Sequence, residues 1–405
     1  MAAFRFRLHT GIPPVSVADW RQAARRRVPE VAWSYIDGAA ADQITLTENV
    51  AGFSRWRLHQ RSLAGVSAPN LATQVGGIPI SLPVALAPTG ASGLAHWSGE
   101  PAAARAAEAC GTRLILSTAG SYRVEEVAQA TAEDHWFQIY PVGARARTGA
   151  LVERVRAAGY RALFVTVDVQ TLGNREGERR WNFTLPWTVT PARALHLARH
   201  GRWVYEAMRH KRIAAAHFLD EARHAAAEAA AASESGMVEA AKSKEQLLKL
   251  LQPDMSWDDV AWIRDRWDGP LYVKGILHPD DAAHAVDVIG ANGVVVSNHG
   301  GRQLDRCLAT IDALPAIAAR IGDRAEVFLD GGIRRGSDVI TALALGARAV
   351  FVARPFLYGL AAAGEEGVRS VIEIFREEIA RDLTLMGCPS VTALDRSWLA
   401  ERPAA

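Results

Sequence analysis

Short apolar runs recur along the chain, and most are followed by a polar, helix-patterned stretch. In order they are PVALAP (Pro83–Pro88), RLILST (Arg113–Thr118), WFQIY (Trp136–Tyr140), ALFVTVD (Ala162–Asp168), LYVKG (Leu271–Gly275), GVVVSN (Gly293–Asn298), VFLDGG (Val327–Gly332) and AVFVAR (Ala349–Arg354). Unbroken runs of this length, many rich in β-branched residues, suit strands buried on both faces, as in parallel sheets. Several of the stretches between them carry helix start and stop signals. Glu100–Gly111 is alanine-rich and ends in glycine. His278–Gly290 opens with proline and acids, and Arg335–Gly346 has Ser337 near its start and Gly346 as its stop. Alternation of this kind predicts an α/β fold of the (β/α)8 TIM-barrel type. A doubly wound sheet is the alternative, but no G-x-G-x-x-G follows the first strand.

Three segments fall outside this rhythm. Residues 1–82 read as an N-terminal helical segment, with helices at Ser16–Arg27 and Pro29–Asp37. Residues 176–254 form a long insertion after the fourth strand, including the low-complexity run Glu221–Gln246. Insertions this long commonly act as lids. Residues 361–405 read as a helical tail. The expectation is one domain over 1–405, with the barrel at 83–360.

Composition excludes more than it selects. The chain has 405 residues, 49% hydrophobic and 22% charged, with a net charge of +2. That is ordinary globular composition, and nothing in it calls for nucleic acid. Cys110, Cys307 and Cys388 are scattered, with neither a disulfide framework nor a zinc spacing, so no metal site is expected. The start, MAAFRFRLHTGIPP, lacks the apolar run of a signal peptide, and no stretch reaches the roughly 18 unbroken apolar residues of a membrane span. A cytoplasmic location is the expectation.

In barrel enzymes the chemistry gathers at the C-terminal ends of the strands. Here every strand end is polar. The first gives Pro88, Thr89 and Gly90, the second Ser117, the third Gln138 and Tyr140. The fourth gives Thr166 and Asp168, with Arg175 soon after, and the fifth Lys274. The sixth gives Ser297, His299 and Arg302, the seventh Asp330, Gly331, Gly332 and Arg334, and the eighth Ala353 and Arg354. Barrels commonly hold phosphate after strands seven and eight, where glycine amides and arginines can clasp an anion. Asp-Gly-Gly also reads as a plain tight turn, and Lys274 as half of a structural ion pair. His299 is a candidate general base, and Asp168 could orient it. Arg175 and Arg302 offer two guanidinium forks for a carboxylate.

Together these motifs resemble the FMN-dependent L-2-hydroxy acid oxidases and dehydrogenases. The match is carried by SNHGGRQLD, with LDGGIRRG, APTG and LTENVAGFSRW in corresponding order, and it covers about Ser16 to Pro389 apart from the insertion. DGGIRRG is shared with other FMN barrels, such as the type 2 isopentenyl diphosphate isomerases, which lack the His–Arg pairing. The resemblance implies oxidation of an L-2-hydroxy acid, lactate-like or larger, to the 2-oxo acid. His299 would be the base and Asp168 its partner. Arg175 and Arg302 would hold the substrate carboxylate, with Tyr35 and Tyr140 also at the substrate. Lys274 would stand beside the flavin N1–C2 carbonyl. Pro88, Thr89, Gly90, Ser117, Gln138, Thr166 and Ser297 would surround the ring and ribityl chain. Asp330, Gly331, Gly332, Arg334, Ala353 and Arg354 would hold the ribityl and phosphate end.

Three positions depart from the family's commoner pattern. Gly90 stands where many oxidases carry alanine, which implies a dehydrogenase passing electrons to a quinone or other carrier, with oxygen as the alternative acceptor. Ala119 stands where glycolate oxidase has tryptophan, which leaves room for an aryl or longer acid such as mandelate. Ala353 replaces a common glycine. The insertion segment Thr190–Arg212 mixes arginines with apolar residues, so it could lie on an anionic membrane surface at the inner face. A lid helix or an oligomer contact is the other reading. The family implies a homo-oligomer, commonly a tetramer. An inert flavin-binding or membrane-scaffold protein is the reading outside enzymology.

Overall fold

The computed structural model describes residues 13–141, 143–181, 190–217, 251 and 253–402. Eight parallel strands carry the fold: β1 (Val84–Leu86), β2 (Ile115–Ser117), β3 (His135–Ile139), β4 (Tyr160–Thr166), β5 (Leu271–Ile276), β6 (Gly293–Val296), β7 (Glu326–Asp330) and β8 (Ala349–Val352). Each of the apolar runs supplies one strand. Neighbours along the chain pair in parallel from β2 to β8, and β8 pairs with β1. A bridge between Leu86 and Leu114, with the Leu86 N–H donating to the Arg113 carbonyl at 2.9 Å, closes the ring. The expected TIM barrel is therefore present.

The strands are buried on both faces because each separates two apolar layers. Trp136, Phe164, Tyr272, Phe328 and Phe351 fill the lumen. Phe164 stacks on Tyr272 with ring centroids 4.9 Å apart, and Phe328 on Phe351 at 5.1 Å. Removing one such ring costs about 3–5 kcal/mol. Below them, the hairpin Thr73–Val75/Ile78–Ile80 adds Val75 and Ile80 to the lumen. Glu326 accepts from the Tyr272 hydroxyl at 2.6 Å and the Gly76 N–H at 2.9 Å. With the lower end plugged, the upper end is left for a site.

The N-terminal helices form as expected at Val17–Arg27 and Glu30–Asp37, with Ser16 capping the first. The tail departs from the expectation. Its helix starts directly after β8 at Arg354 and runs to Met386, broken at Ala363 and Gly364. Beyond it the chain is not helical throughout, because Leu399–Glu401 pairs antiparallel with Trp56–Leu58. Of the insertion, helices Glu176–Arg180, Pro191–Ala198 and Gly201–His210 are described, whereas the run Glu221–Gln246 lies outside the described residues. Among the described residues no helix is long and apolar enough to cross a membrane.

Candidate active site

At the upper end of the barrel lies a cleft. Tyr35, Pro88, Thr89, Gly90, Tyr140, Arg175, Lys274, His299, Arg302, Asp330, Gly331, Gly332, Arg334, Ala353 and Arg354 all line it. The parallel strands start together at the bottom, so residues distant in sequence run out at one rim. Ser117, Gln138, Thr166 and Ser297 do not line the cleft. They are buried where their strands end, each with at most 1% of its surface exposed.

His299 owes its place to an unusual backbone. It has φ +57, followed by Gly300 at +63 and Gly301 at +73, so β6 leaves the barrel in three left-handed residues. That conformation costs a non-glycine residue roughly 1–2 kcal/mol. The glycines answer to close neighbours. A Cβ on Gly300 would lie 2.9 Å from an Arg354 nitrogen, and one on Gly301 2.8 Å from the Leu46 nitrogen. Asn298 holds the turn, its side-chain oxygen accepting from the Gly301 N–H at 3.1 Å.

The His299 Nδ1 lies 2.9 Å from the Asp168 carboxylate. An ionised carboxylate only accepts, so Nδ1 carries the proton and Nε2 is left free for a ligand. Burial holds the His299 pKa below the ordinary imidazole value, although Asp168 pulls it upward. Burial acts to raise the Asp168 carboxyl, but His299 and Lys274 hold it below the usual carboxylate range. Lys274 bonds Ser297 Oγ at 2.9 Å and Asp330 at 3.0 Å. Burial would lower its pKa, yet Asp330 and Asp168 keep it above normal, so it stays charged.

The two candidate carboxylate-binding arginines lie side by side. Arg175 donates to the Arg302 carbonyl at 3.2 Å and to Gln303 Oε1 at 2.9 Å. Arg302 donates to the carbonyls of Tyr35 at 2.7 Å and Gly38 at 2.8 Å, and lies 4.9 Å from the centroid of the Tyr35 ring. Glu178 accepts from Arg302 at 2.9 Å and lies 3.6 Å from Arg175. Burial raises the pKa of both Tyr35 and Tyr140, so both phenols remain protonated.

The far end of the cleft is cationic. Arg354 donates to the carbonyls of Gly300 at 3.0 Å and Gly38 at 2.8 Å, and Arg334 to its neighbour Ile333. Burial, with Arg302 and Arg334 nearby, pushes Arg354 down to about 10. Gly331 and Gly332 have φ +94 and +84, and a Cβ on Gly332 would sit 2.0 Å from the Asn49 carbonyl oxygen. The Asp-Gly-Gly turn is thus dictated by the N-terminal segment that packs on it.

Three groups were not singled out from sequence. Glu178 follows Arg175 by one helical turn, a spacing that offered the one available signal. Gln303 lies inside the SNHGGRQ motif and donates to the Asp168 carbonyl at 3.0 Å. Asn49, inside LTENVAGF, pairs with Asn298. The segment LTENVAGFSRW thus touches both SNHGGRQLD and LDGGIRRG.

Known proteins resemble the chain over nearly its whole length. L-lactate oxidase of Nostoc sp. is 42% identical over 390 residues, spanning 95% of this chain and 98% of its own. L-lactate dehydrogenase of Caulobacter vibrioides is 40% identical over 389 residues, spanning 96% and 98%. The crystal structure of the monotopic membrane protein (S)-mandelate dehydrogenase superposes with a TM-score of 0.88 at 34% identity, covering 96% of this chain and 100% of that one. Residues 24–401 match the family described as FMN-dependent dehydrogenase, and the chain belongs to that family of oxidoreductases.

Proposed function

We propose that the protein oxidises an L-2-hydroxy acid to the 2-oxo acid, with His299 as base and Arg175 and Arg302 holding the carboxylate. The observation that carries this reading is that His299, held by Asp168 at 2.9 Å, lines the same cleft as both arginines and Lys274.

The residues present fit FMN. Gln138 Nε2, Thr166 Oγ1 and Asp330 Oδ1 are buried without a protein partner, as is Arg354 Nε. Buried polar atoms of this kind call for a hydrogen-bonding ligand. Gln138, Thr166 and Lys274 would hold the polar edge of the ring. Arg334 and Arg354 donate their side-chain bonds to carbonyl oxygens, and would hold the phosphate. When bound, FMN supplies the acceptor for the two electrons that leave the substrate's α-carbon.

The chain's own groups do the rest. The arginines fix the carboxylate end, and the Tyr35 and Tyr140 hydroxyls face the substrate hydroxyl. His299 Nε2 takes the proton, while Asp168 fixes the tautomer and stabilises the imidazolium. Lys274 would contribute fixed positive charge at the polar edge of the ring.

We assign the electrons to a quinone or another carrier rather than oxygen. Gly90 supports this, as does the described part of the insertion, where Leu195, Tyr205 and Met208 are exposed beside Arg199, Arg209 and Lys211. Such a surface suits an anionic membrane. Not all of the segment is available. Trp203 is buried and donates to the Leu94 carbonyl at 2.9 Å, Arg202 pairs with Glu206, and Arg212 with Glu126. Ala119 leaves the cleft open for a substrate larger than glycolate. Turnover of L- but not D-2-hydroxy acids by the purified protein with an artificial acceptor, with the 2-oxo acid as product, tests the assignment; absence of 2-oxo acid contradicts it.

A further inference from the structure

β5 does not end as a regular strand. Its pairing with β6 slips by one residue between Lys274 and Ile276. The residue between them, Gly275, has φ +106, which marks a bulge that only glycine accepts readily. The bulge lets two neighbours point in incompatible directions. Lys274 turns towards Ser297 and Asp330, while Ile276 packs in the outer core beyond the strands.

The bulge also creates space. A Cβ on Gly275 would lie 2.7 Å from both Asp168 Cβ and Cγ, and 3.0 Å from Asp168 Oδ2. The Asp168 carboxylate therefore occupies the volume that a side chain at position 275 would need. β4 and β5 are tied just below, where the Val167 N–H donates to the Lys274 carbonyl at 2.9 Å. The backbones there are tied, and rotation of Asp168 would clear Cγ and Oδ2 but not Cβ, so a side chain at position 275 forces both a turn of the carboxylate away from its seat and a strained parting of the two strands. The one side-chain bond of Asp168 is to His299.

We infer that Gly275 is a positioning residue that seats the Asp168 carboxylate against His299. It touches neither substrate nor flavin and acts through Asp168. The inference rests on the proposed role of His299 as base. Besides Asp168, His299 faces Lys274 and Arg175, and neither depends on Asp168 for its own bonds.

The test uses FMN-loaded Gly275→Ala, Asp168→Asn and the double variant, followed by anaerobic flavin reduction with an L-2-hydroxy acid across pH. Each single variant is expected to slow reduction by about tenfold or more. Both should move the acid limb of the profile to lower pH, because His299 loses its carboxylate. The double variant should be no slower than Asp168→Asn alone. Multiplicative losses in the double variant, or a Gly275→Ala limb at the wild-type pH, overturn the inference while leaving His299 as base. An Asp168→Asn enzyme that reduces normally overturns the base pair itself. If Gly275→Ala does not accumulate as holoenzyme, Gly275→Ala/Asp168→Gly empties the required space. Recovery of FMN-loaded protein supports the contact, and continued failure overturns it.

Discussion

Asn49 and Asn298 exchange both side-chain amide hydrogen bonds, each 2.8 Å long, across 249 residues of sequence. Asn49 also accepts from the Thr310 N–H at 3.1 Å, and its carbonyl blocks any side chain at Gly332. One side-chain amide thus fastens the N-terminal segment to the His299 turn and to the helix start at Thr310, while the Asn49 main chain packs on the Asp-Gly-Gly turn. Both residues are buried, so losing a partner leaves polar groups unsatisfied at about 1–3 kcal/mol each. Asn49→Ala should lower unfolding stability by at least that amount and weaken retention of FMN. Denaturant titration and the flavin-to-protein ratio after gel filtration check both effects.

His299 supplies the pH dependence. On the proposed mechanism the neutral imidazole is the active form, and burial holds its pKa below the ordinary value of about 6.5. The profile of kcat/KM should therefore fall on the acid side, with its midpoint below that value, and be flat through neutrality. His299→Gln should retain FMN yet reduce it at least 100-fold more slowly, within the roughly 10²–10⁴ range for a general base. Stopped-flow absorbance of the flavin measures both.

The proposed choice of electron acceptor rests in part on Gly90. A Cβ there would lie 2.7 Å from the Tyr35 hydroxyl and 3.1 Å from Ala119 Cβ. Gly90→Ala should displace Tyr35 and raise KM for substrate. The reduced wild-type enzyme should react slowly with oxygen, and the variant faster. Mixing each reduced protein with oxygenated buffer gives the rates, and fast wild-type oxidation would make the protein an oxidase.

The exposed arginines and apolar residues of Thr190–Arg212 predict binding to vesicles rich in anionic lipid, weakened by salt. Replacing Leu195, Tyr205 and Met208 by serine should abolish flotation with such vesicles and leave soluble turnover intact. These side chains are exposed, so their loss should cost the fold little.

The barrel was legible because a strand buried on both faces leaves an unbroken apolar run, and each such run ends in a polar group that water alone does not explain. Arg175, His299 and Arg302 could be read from charge placed at those ends. Asn49 could not, because an amide on a short helix carries no sign of a partner 249 residues away. Nor could the sequence name the close neighbours of Gly300 and Gly301, which are Arg354 and Leu46. The closing strand Leu399–Glu401 is too short to show a period, so the tail read as helical.

On the proposed mechanism an L-2-hydroxy acid delivers its electrons to the bound flavin through the His299 site. Anaerobic mixing of the purified yellow enzyme with L-2-hydroxy acids from glycolate to mandelate tests it directly. At least one L-acid should bleach the flavin absorbance, the bleaching should be lost in His299→Gln, and larger side chains should be favoured over glycolate. A flavin that no L-2-hydroxy acid in the series bleaches would contradict it.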